Sequence, residues 1–243
     1  CPDAGVCTDE IFDVTPHARA MAYFLLRHPD AQNFGRKFKI SFSGCAQHHC
    51  GLARIHDIGA VAETREVDGE TVEGFAVYVG GGLGAVPHQA QLYSDFVPAG
   101  EMLPLAQAIA RVFAKLGEKN KRARARMKFL VANLGIDEFR RNIEEEIARL
   151  PEDSLREKIM AEAHSQKEEP LKPPSELDLE APGLDESFRS WHRHNVRAQG
   201  QEGYSMVTVS LALGDLTADQ LRGVGTISRK YIKDTIRATV PQN

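Results

Sequence analysis

The stretch Arg36-Lys-Phe-Lys-Ile-Ser-Phe-Ser-Gly-Cys45-Ala-Gln-His-His-Cys50-Gly51 decides how the rest of the chain is read. Phe38, Ile40 and Phe42 alternate with Lys37, Lys39, Ser41 and Ser43, which is the period of a strand buried on one face. That period predicts Lys37 and Lys39 side by side on the open face. Directly after the strand, Gly44-Cys45 opens a tight turn that closes at Cys50-Gly51. Cys1 and Cys7 stand at the start of the chain, and no cysteine follows Cys50.

Such crowding of cysteines is not the even scatter of a disulfide scaffold in a chain of 243 residues. Three readings remain: a metal or cluster site, inert core thiols, or two disulfides in a secreted protein. The first pair is wide for a structural zinc site, whose paired ligands usually stand two to four residues apart. Four thiolates drawn from two loops suit a larger body such as an iron-sulfur cubane. His48, His49 and His56 lie close enough in sequence to act as ligands, although a histidine beside a cysteine turn more often packs or hydrogen-bonds.

A 42% apolar content supports one large domain or two small ones with a real core. The net charge of -4 gives no general pull toward nucleic acid or a membrane surface. The longest apolar run, Met21 to Leu26, falls far short of the roughly 20 residues that span a bilayer. A soluble, cytoplasmic protein is expected. Because the chain begins with Cys1 and ends on Gln242-Asn243 after an extended-looking segment, it is read as a piece of a longer polypeptide with neighbours missing on both sides.

Working outward, Thr15-Pro16 predicts a helix start, and Ala18, Met21, Ala22, Leu25 and Leu26 give it an apolar face as far as His28-Pro29. A charged loop is expected around Glu63 to Glu73, then a buried strand at Gly74 to Val79 that runs into Gly80-Gly-Gly-Leu-Gly84. A run of this kind lets backbone approach a ligand or other backbone closely, because no Cβ stands in the way. It matches neither the dinucleotide fingerprint nor a phosphate-binding loop. Met102, Leu105, Ala106, Ile109, Val112, Phe113 and Leu116 mark a helix that stops at Gly117. Another is predicted from Arg122 to Leu134, with Lys119, Lys121, Arg122, Arg124, Arg126 and Lys128 along its approach and first turns. This basic run is either a solvated face or a cation cluster opposite a polyanion. From Glu144 to Glu186 the chain turns acidic and proline-bearing, which reads as a helix tail and then a linker. Beyond it, Tyr204 to Leu211 predicts a strand, Thr217 opens a helix bearing Leu221, Val224, Ile227 and Tyr231, and Thr235 to Val240 predicts a further strand.

Several motifs, in order, resemble the nitrite and sulfite reductase family. They are Cys1-Pro-Asp-Ala-Gly-Val-Cys7, Asp13-Val-Thr-Pro16, Gly35-Arg-Lys-Phe-Lys-Ile40, Ser43-Gly-Cys45 to Cys50-Gly51, His56-Asp-Ile-Gly59, Val79-Gly-Gly-Gly-Leu-Gly84 and Phe96-Val-Pro98. Asn120 to Leu130, Phe139-Arg140, Gly214-Asp-Leu-Thr217 and Arg237 to Asn243 continue the series. The resemblance implies an α+β fold, with a mixed sheet and flanking helices over residues 1–150 and a ferredoxin-like half-domain over 187–243; the acidic proline-bearing linker over 151–186, read from composition, joins them. It implies part of an enzyme that carries sirohaem and a 4Fe-4S cluster and reduces sulfite to sulfide or nitrite to ammonia by six electrons. Its electrons would come from ferredoxin or a nicotinamide-linked reductase. Lys37 and Lys39 fall on the family's cationic pair facing the substrate anion. Arg122, Arg126 and Lys128 become candidates for the sirohaem carboxylates, Gly81 and Gly82 for close approach to the cofactor, and Cys1, Cys7, Cys45 and Cys50 for the cluster. Family cluster cysteines normally lie in the second copy of an internal duplication, whereas this chain matches the first, and its second pair is one residue wider than the usual motif. The competing reading is a non-catalytic iron-sulfur electron-transfer or assembly module.

Overall fold

Two units divide the chain, one spanning Asp9–Gln166 and the other built from Pro2–Thr8 with Lys167–Asn243. The computed structural model describes residues 2–45, 47–166, 169–175, 177–232 and 236–239. Among them, no helix is long and apolar enough to cross a membrane.

The first unit opens with α1 (Thr15–Leu25), whose buried Ala20, Met21 and Phe24 share one face. Asp13 rather than Thr15 supplies the polar partner at its start, since the Asp13 carboxylate accepts the Thr15 N–H at 2.8 Å. A four-stranded sheet follows, made of β1 (Ile40–Ser43), β2 (Ile58–Val67), β3 (Glu70–Val79) and β4 (Gln91–Pro98). These strands are ordered β1-β2-β3-β4, with β1 parallel to β2 and the other pairs antiparallel. The first strand begins only at Ile40, so Lys37 and Lys39 lie on its lead-in rather than in the ladder.

The charged loop expected around Glu63 to Glu73 is instead the outer half of the β2–β3 hairpin, in unbroken register from Ile58↔Val79 to Val67↔Glu70. Asp68 and Gly69 turn it with φ of 54° and 84°, the left-handed pair that a two-residue hairpin turn requires. Beyond Ala62 most of the arm is exposed, so apolar alternation has no core to face and the strand period disappears from the sequence. β4 carries a weak pattern for another reason. Its register against β3 slips between Phe75 and Tyr78, and only Tyr93 and Val97 of the strand are buried.

Next comes α2 (Met102–Leu116), which packs on α1 and ends at Gly117 as expected. It buries Leu105, Ile109, Val112 and Phe113 on the stripe read from the sequence. The helix expected from Arg122 to Leu134 is broken. A short 3-10 turn at Arg122–Arg124 precedes an extended Arg126, with φ of -123° and ψ of 147°, and α3 (Met127–Leu134) starts afterwards. Gly135 separates α3 from α4 (Ile136–Ile147), and α5 (Ser154–Ser165) lies within the acidic stretch and packs on α1. Phe75, Phe113, Phe139, Ile58, Met102 and Ile143 are among the largest fully buried side chains of this unit.

In the second unit, α6 (Glu186–Asn195) leads into β5 (Val196–Ala198), which pairs antiparallel with β6 (Ser205–Val207). Residues 2–8 join it through the Gly200 N–H, which donates to Val6 O at 2.8 Å. The expected helix is α7 (Ala218–Tyr231), held by a capping box between Thr217 and Gln220. Leu221 and Ile227 on this helix are 60% and 59% exposed, and among the unit's described residues only Ala4 and Ser228 are buried. Most of its apolar stripe therefore faces outward. The strand expected over Thr235 to Val240 is not seen at Ile236–Thr239, which form no ladder, and its two end residues lie outside the described set.

Candidate functional site

Phe38 fixes the direction of both lysines. Its ring packs on Phe34 at 5.0 Å and stacks over Phe113 of α2 at 6.1 Å, which commits alternate side chains of this lead-in to the core. Lys37 and Lys39 are exposed, and neither ammonium forms an ion pair among the described residues. The expected cationic pair is thus present, on an extended segment that continues into β1.

What anchors that segment is Asp57, which is fully buried at the entrance to β2. Its Oδ2 accepts the Lys39 N–H at 2.9 Å. Arg126 Nη2 donates to Oδ2 at 2.9 Å and to Oδ1 at 3.1 Å, and Arg126 Nε reaches Oδ1 at 3.3 Å. Burial raises the Asp57 carboxyl above its ordinary value, while the Arg126 guanidinium and the Lys39 N–H act in the opposite sense. Here is the reason for the broken helix: an extended Arg126 aims its side chain into the sheet. Gly35 completes the junction, because a methyl group there would lie 2.5 Å from Glu118 O and 2.8 Å from Ala125 Cβ. The segments Gly35 to Lys39 and Glu118 to Arg126 are therefore packed against one another, bringing Arg36, Lys37 and Lys39 near Lys119, Lys121, Arg122 and Arg124. All seven side chains are exposed.

Two of the three expected sirohaem ligands have other work. Arg126 is 8% exposed and held by Asp57. Lys128, also buried, donates from Nζ to Leu83 O at 3.0 Å and to Val86 O. Burial, followed by the charge of Arg126, holds the Lys128 ammonium below the usual lysine range. Arg122 alone of the three is exposed.

The glycine run approaches backbone closely, but the backbone is the chain's own. Gly81 donates to His56 O at 2.9 Å, and a Cβ there would stand 2.7 Å from both Arg54 O and His56 O. Gly82 and His88 exchange two hydrogen bonds of 2.9 Å, and the Gly80 N–H donates to Asp57 O at 2.9 Å. Gly81 and Gly82 are buried in this arrangement.

Of the cysteines, the structure brings Cys45 and Cys50 together, with Sγ atoms 3.5 Å apart. Cys7 belongs to the second unit, and Cys1 lies outside the described residues. Among the described residues, no three His, Cys, Asp or Glu side chains gather as metal ligands. In a cubane each iron carries its own outward-pointing thiolate. Two cluster ligands therefore stand well beyond the contact distance at which Cys45 and Cys50 sit. As arranged here, the pair does not fit two corners of a 4Fe-4S cluster.

Comparison with known proteins bears on this geometry. The family description "Nitrite and sulphite reductase 4Fe-4S domain" matches residues 1–150, and "Nitrite/Sulfite reductase ferredoxin-like half domain" matches residues 197–243. The chain belongs to the nitrite and sulphite reductase family. One relative within this family is an assimilatory ferredoxin-dependent nitrite reductase of Haloferax mediterranei, 32% identical over all of this chain and 39% of its own length. A ferredoxin sulfite reductase of Mycolicibacterium paratuberculosis is 34% identical over 60% of this chain and 25% of its own. The solved structure of the Mycobacterium tuberculosis NirA protein superposes with a TM-score of 0.69 at 26% identity, covering 98% of this chain and 38% of that one. The chain thus spans about two fifths or less of each of these proteins.

Asp57 is the residue that sequence reading passed over. It sat inside the quoted His56-Asp-Ile-Gly59 motif without a role. Its signal was an acid directly before the apolar run Ile58 to Ala62, where a carboxylate must find a buried partner.

Proposed function

We propose that this chain forms part of a sirohaem-dependent enzyme that reduces nitrite to ammonia or sulfite to sulfide. Within it, Lys37 and Lys39 bind the anion. The observation that carries the reading is the Asp57 junction. It fixes two exposed basic segments against each other in a chain whose relatives are nitrite and sulfite reductases. A surface of seven cations, opposed within its own two segments by Glu118 alone, suits a polycarboxylate macrocycle and a small oxyanion together.

When bound, sirohaem supplies the iron to which the anion attaches and through which electrons reach it. The chain's own part is electrostatic. Lys37 and Lys39 orient the anion's oxygens, offset the charge that builds as electrons arrive, and deliver protons from Nζ so that oxygen leaves as water. Arg122, with Lys121 and Arg124 beside it, takes the macrocycle's carboxylates, whereas Arg126 and Lys128 hold the scaffold. Ferredoxin is the donor on this reading, following the names of the relatives. A cytoplasmic location accompanies it.

The test uses the complete parent protein made with sirohaem synthesis. A haem Soret band and donor-driven reduction of nitrite or sulfite are expected. Lys37→Ala or Lys39→Ala is expected to lower kcat by about 10²–10³ while the Soret band stays. Unchanged reduction in both variants would remove the lysines from the site, and absence of the Soret band would overturn the cofactor assignment.

A further inference from the structure

We propose that Cys45 and Cys50 form a reversible dithiol–disulfide couple at the turn after β1, a redox site separate from the reductase chemistry. The two Sγ atoms are already 3.5 Å apart, and a disulfide needs about 2.05 Å. Closing the bond asks for a shift of about 1.5 Å, within reach of side-chain rotation plus a small adjustment of the turn.

The surrounding backbone keeps the pair in register. At the neck of the turn, the Gly51 N–H donates to Ser43 Oγ at 2.9 Å. A Cβ at Gly51 would lie 2.4 Å from Phe42 O, so the returning chain lies directly on the end of β1. On the other side the Ile11 N–H holds Gly44 O at 2.8 Å. His49 and Leu52 both take left-handed φ, of 44° and 52°, and the Leu52 N–H closes onto His49 O at 2.7 Å, which coils the turn tightly. Both ends of the six-residue segment are thus pinned, and the thiols meet because of it.

Exposure divides the roles. Cys45 is 2% exposed, whereas Cys50 is only partly buried, so an external disulfide reaches Cys50 first. Its thiolate attacks one sulfur of oxidised glutathione, the glutathione S–S bond breaks, and one glutathione thiol departs, leaving a mixed disulfide on Cys50. Cys45 then attacks Cys50 Sγ and expels the second glutathione. Two protein thiols lose two electrons and two protons, and one glutathione disulfide is reduced to two thiols. Excess reduced glutathione runs the sequence backwards. Both sulfurs are then committed to each other, so the oxidised turn offers no thiolate to a metal.

Trypsin provides a clean assay, because cleavage after Lys39 and Arg54 places both cysteines on the peptide 40–54, while Cys1 and Cys7 fall on the peptide 1–19. The full chain is incubated with oxidised glutathione and a chelator, alkylated, digested and weighed. The peptide 40–54 is expected to lose two hydrogens and both alkylation sites, and to regain them after reduction. Cys45→Ser is expected to retain one glutathione on Cys50, while Cys50→Ser takes up far less. Separate glutathionylation of both cysteines in the native chain, full alkylation after oxidant, or a bridge to peptide 1–19 would each overturn the couple. The peptide map of the unmutated chain decides the matter even if a variant fails to fold.

Discussion

Replacing Asp57 by Asn removes one charge from a pair whose members are 0% and 8% exposed. Arg126 is then left in the interior with no counter-charge, and breaking a buried pair in this way costs about 3–5 kcal/mol. The Lys39 N–H keeps an acceptor in the amide oxygen, so the loss falls on the three guanidinium contacts of 2.9–3.3 Å. At about 2–4 °C per kcal/mol for a chain of this size, Tm drops by roughly 10 °C. Urea unfolding followed by circular dichroism measures the global loss. Hydrogen exchange at the Lys39 and Gly80 amides measures it locally, since both donate to Asp57. Arg126→Met is the companion variant. It strands a buried carboxylate that can take up a proton, so its penalty shrinks as pH falls, whereas that of Asp57→Asn does not. Combining the two is expected to recover at least about 1 kcal/mol of the summed losses, the signature of residues in direct contact. An Asp57→Asn protein within about 0.5 kcal/mol of the parent would refute the view that a buried ion pair clamps the two basic segments.

His17 gives a pH dependence of known sign. Burial, reinforced by His164 and opposed by Asp13, lowers it from 6.5 to about 4, and neither ring nitrogen has a partner among the described residues. The unfolded chain binds this proton more readily, so stability is full above pH 6.5 and falls as pH drops toward 4, by about 3 kcal/mol in all. His17→Phe keeps the edge-on packing with Phe12 and Phe75, and its urea midpoint is expected to lose that share of the slope and to exceed the parent's at pH 5. A parent and variant with parallel pH profiles would contradict this. Gly81→Ala introduces a Cβ 2.7 Å from two carbonyl oxygens, and thermal melts are expected to register a loss of about 1–3 kcal/mol. A neutral result would mean the glycine run is not held against the Arg54–His56 backbone.

Where a single apolar stripe meets a single core, the sequence was easy to read. α2 and its stop at Gly117 follow from the spacing of Leu105, Ile109, Val112 and Phe113, and the capped start of α7 follows from Thr217. Lys37 and Lys39 could be paired because Phe38 between them points into the core. Legibility failed wherever a long-range polar contact overruled local preference. Met127 to Leu134 is helical, but nothing near Arg126 in sequence announces that its side chain must reach Asp57, so the break in the helix was invisible. The same contact engages Arg126 inside the chain, and the carbonyls of Leu83 and Val86 engage Lys128. The hairpin arm was lost to its solvation, although Asp68-Gly69 was a usable turn signal. For the second unit, the exposed face of α7 shows an amphipathic pattern that the described residues leave largely uncovered.

The separation of Asp57 and Arg126 also sets an order of assembly during synthesis. They stand 69 positions apart. On a ribosome adding roughly 5–20 residues per second, Asp57 is made about 3–14 s before its partner exists. Once Val79 has been added, the β2–β3 hairpin, whose contacts are local, is free to form before Arg126 exists. Sealing the Lys39 end of the sheet would bury a bare carboxylate. The expected order is that the first basic segment closes onto the sheet only after the second has been translated.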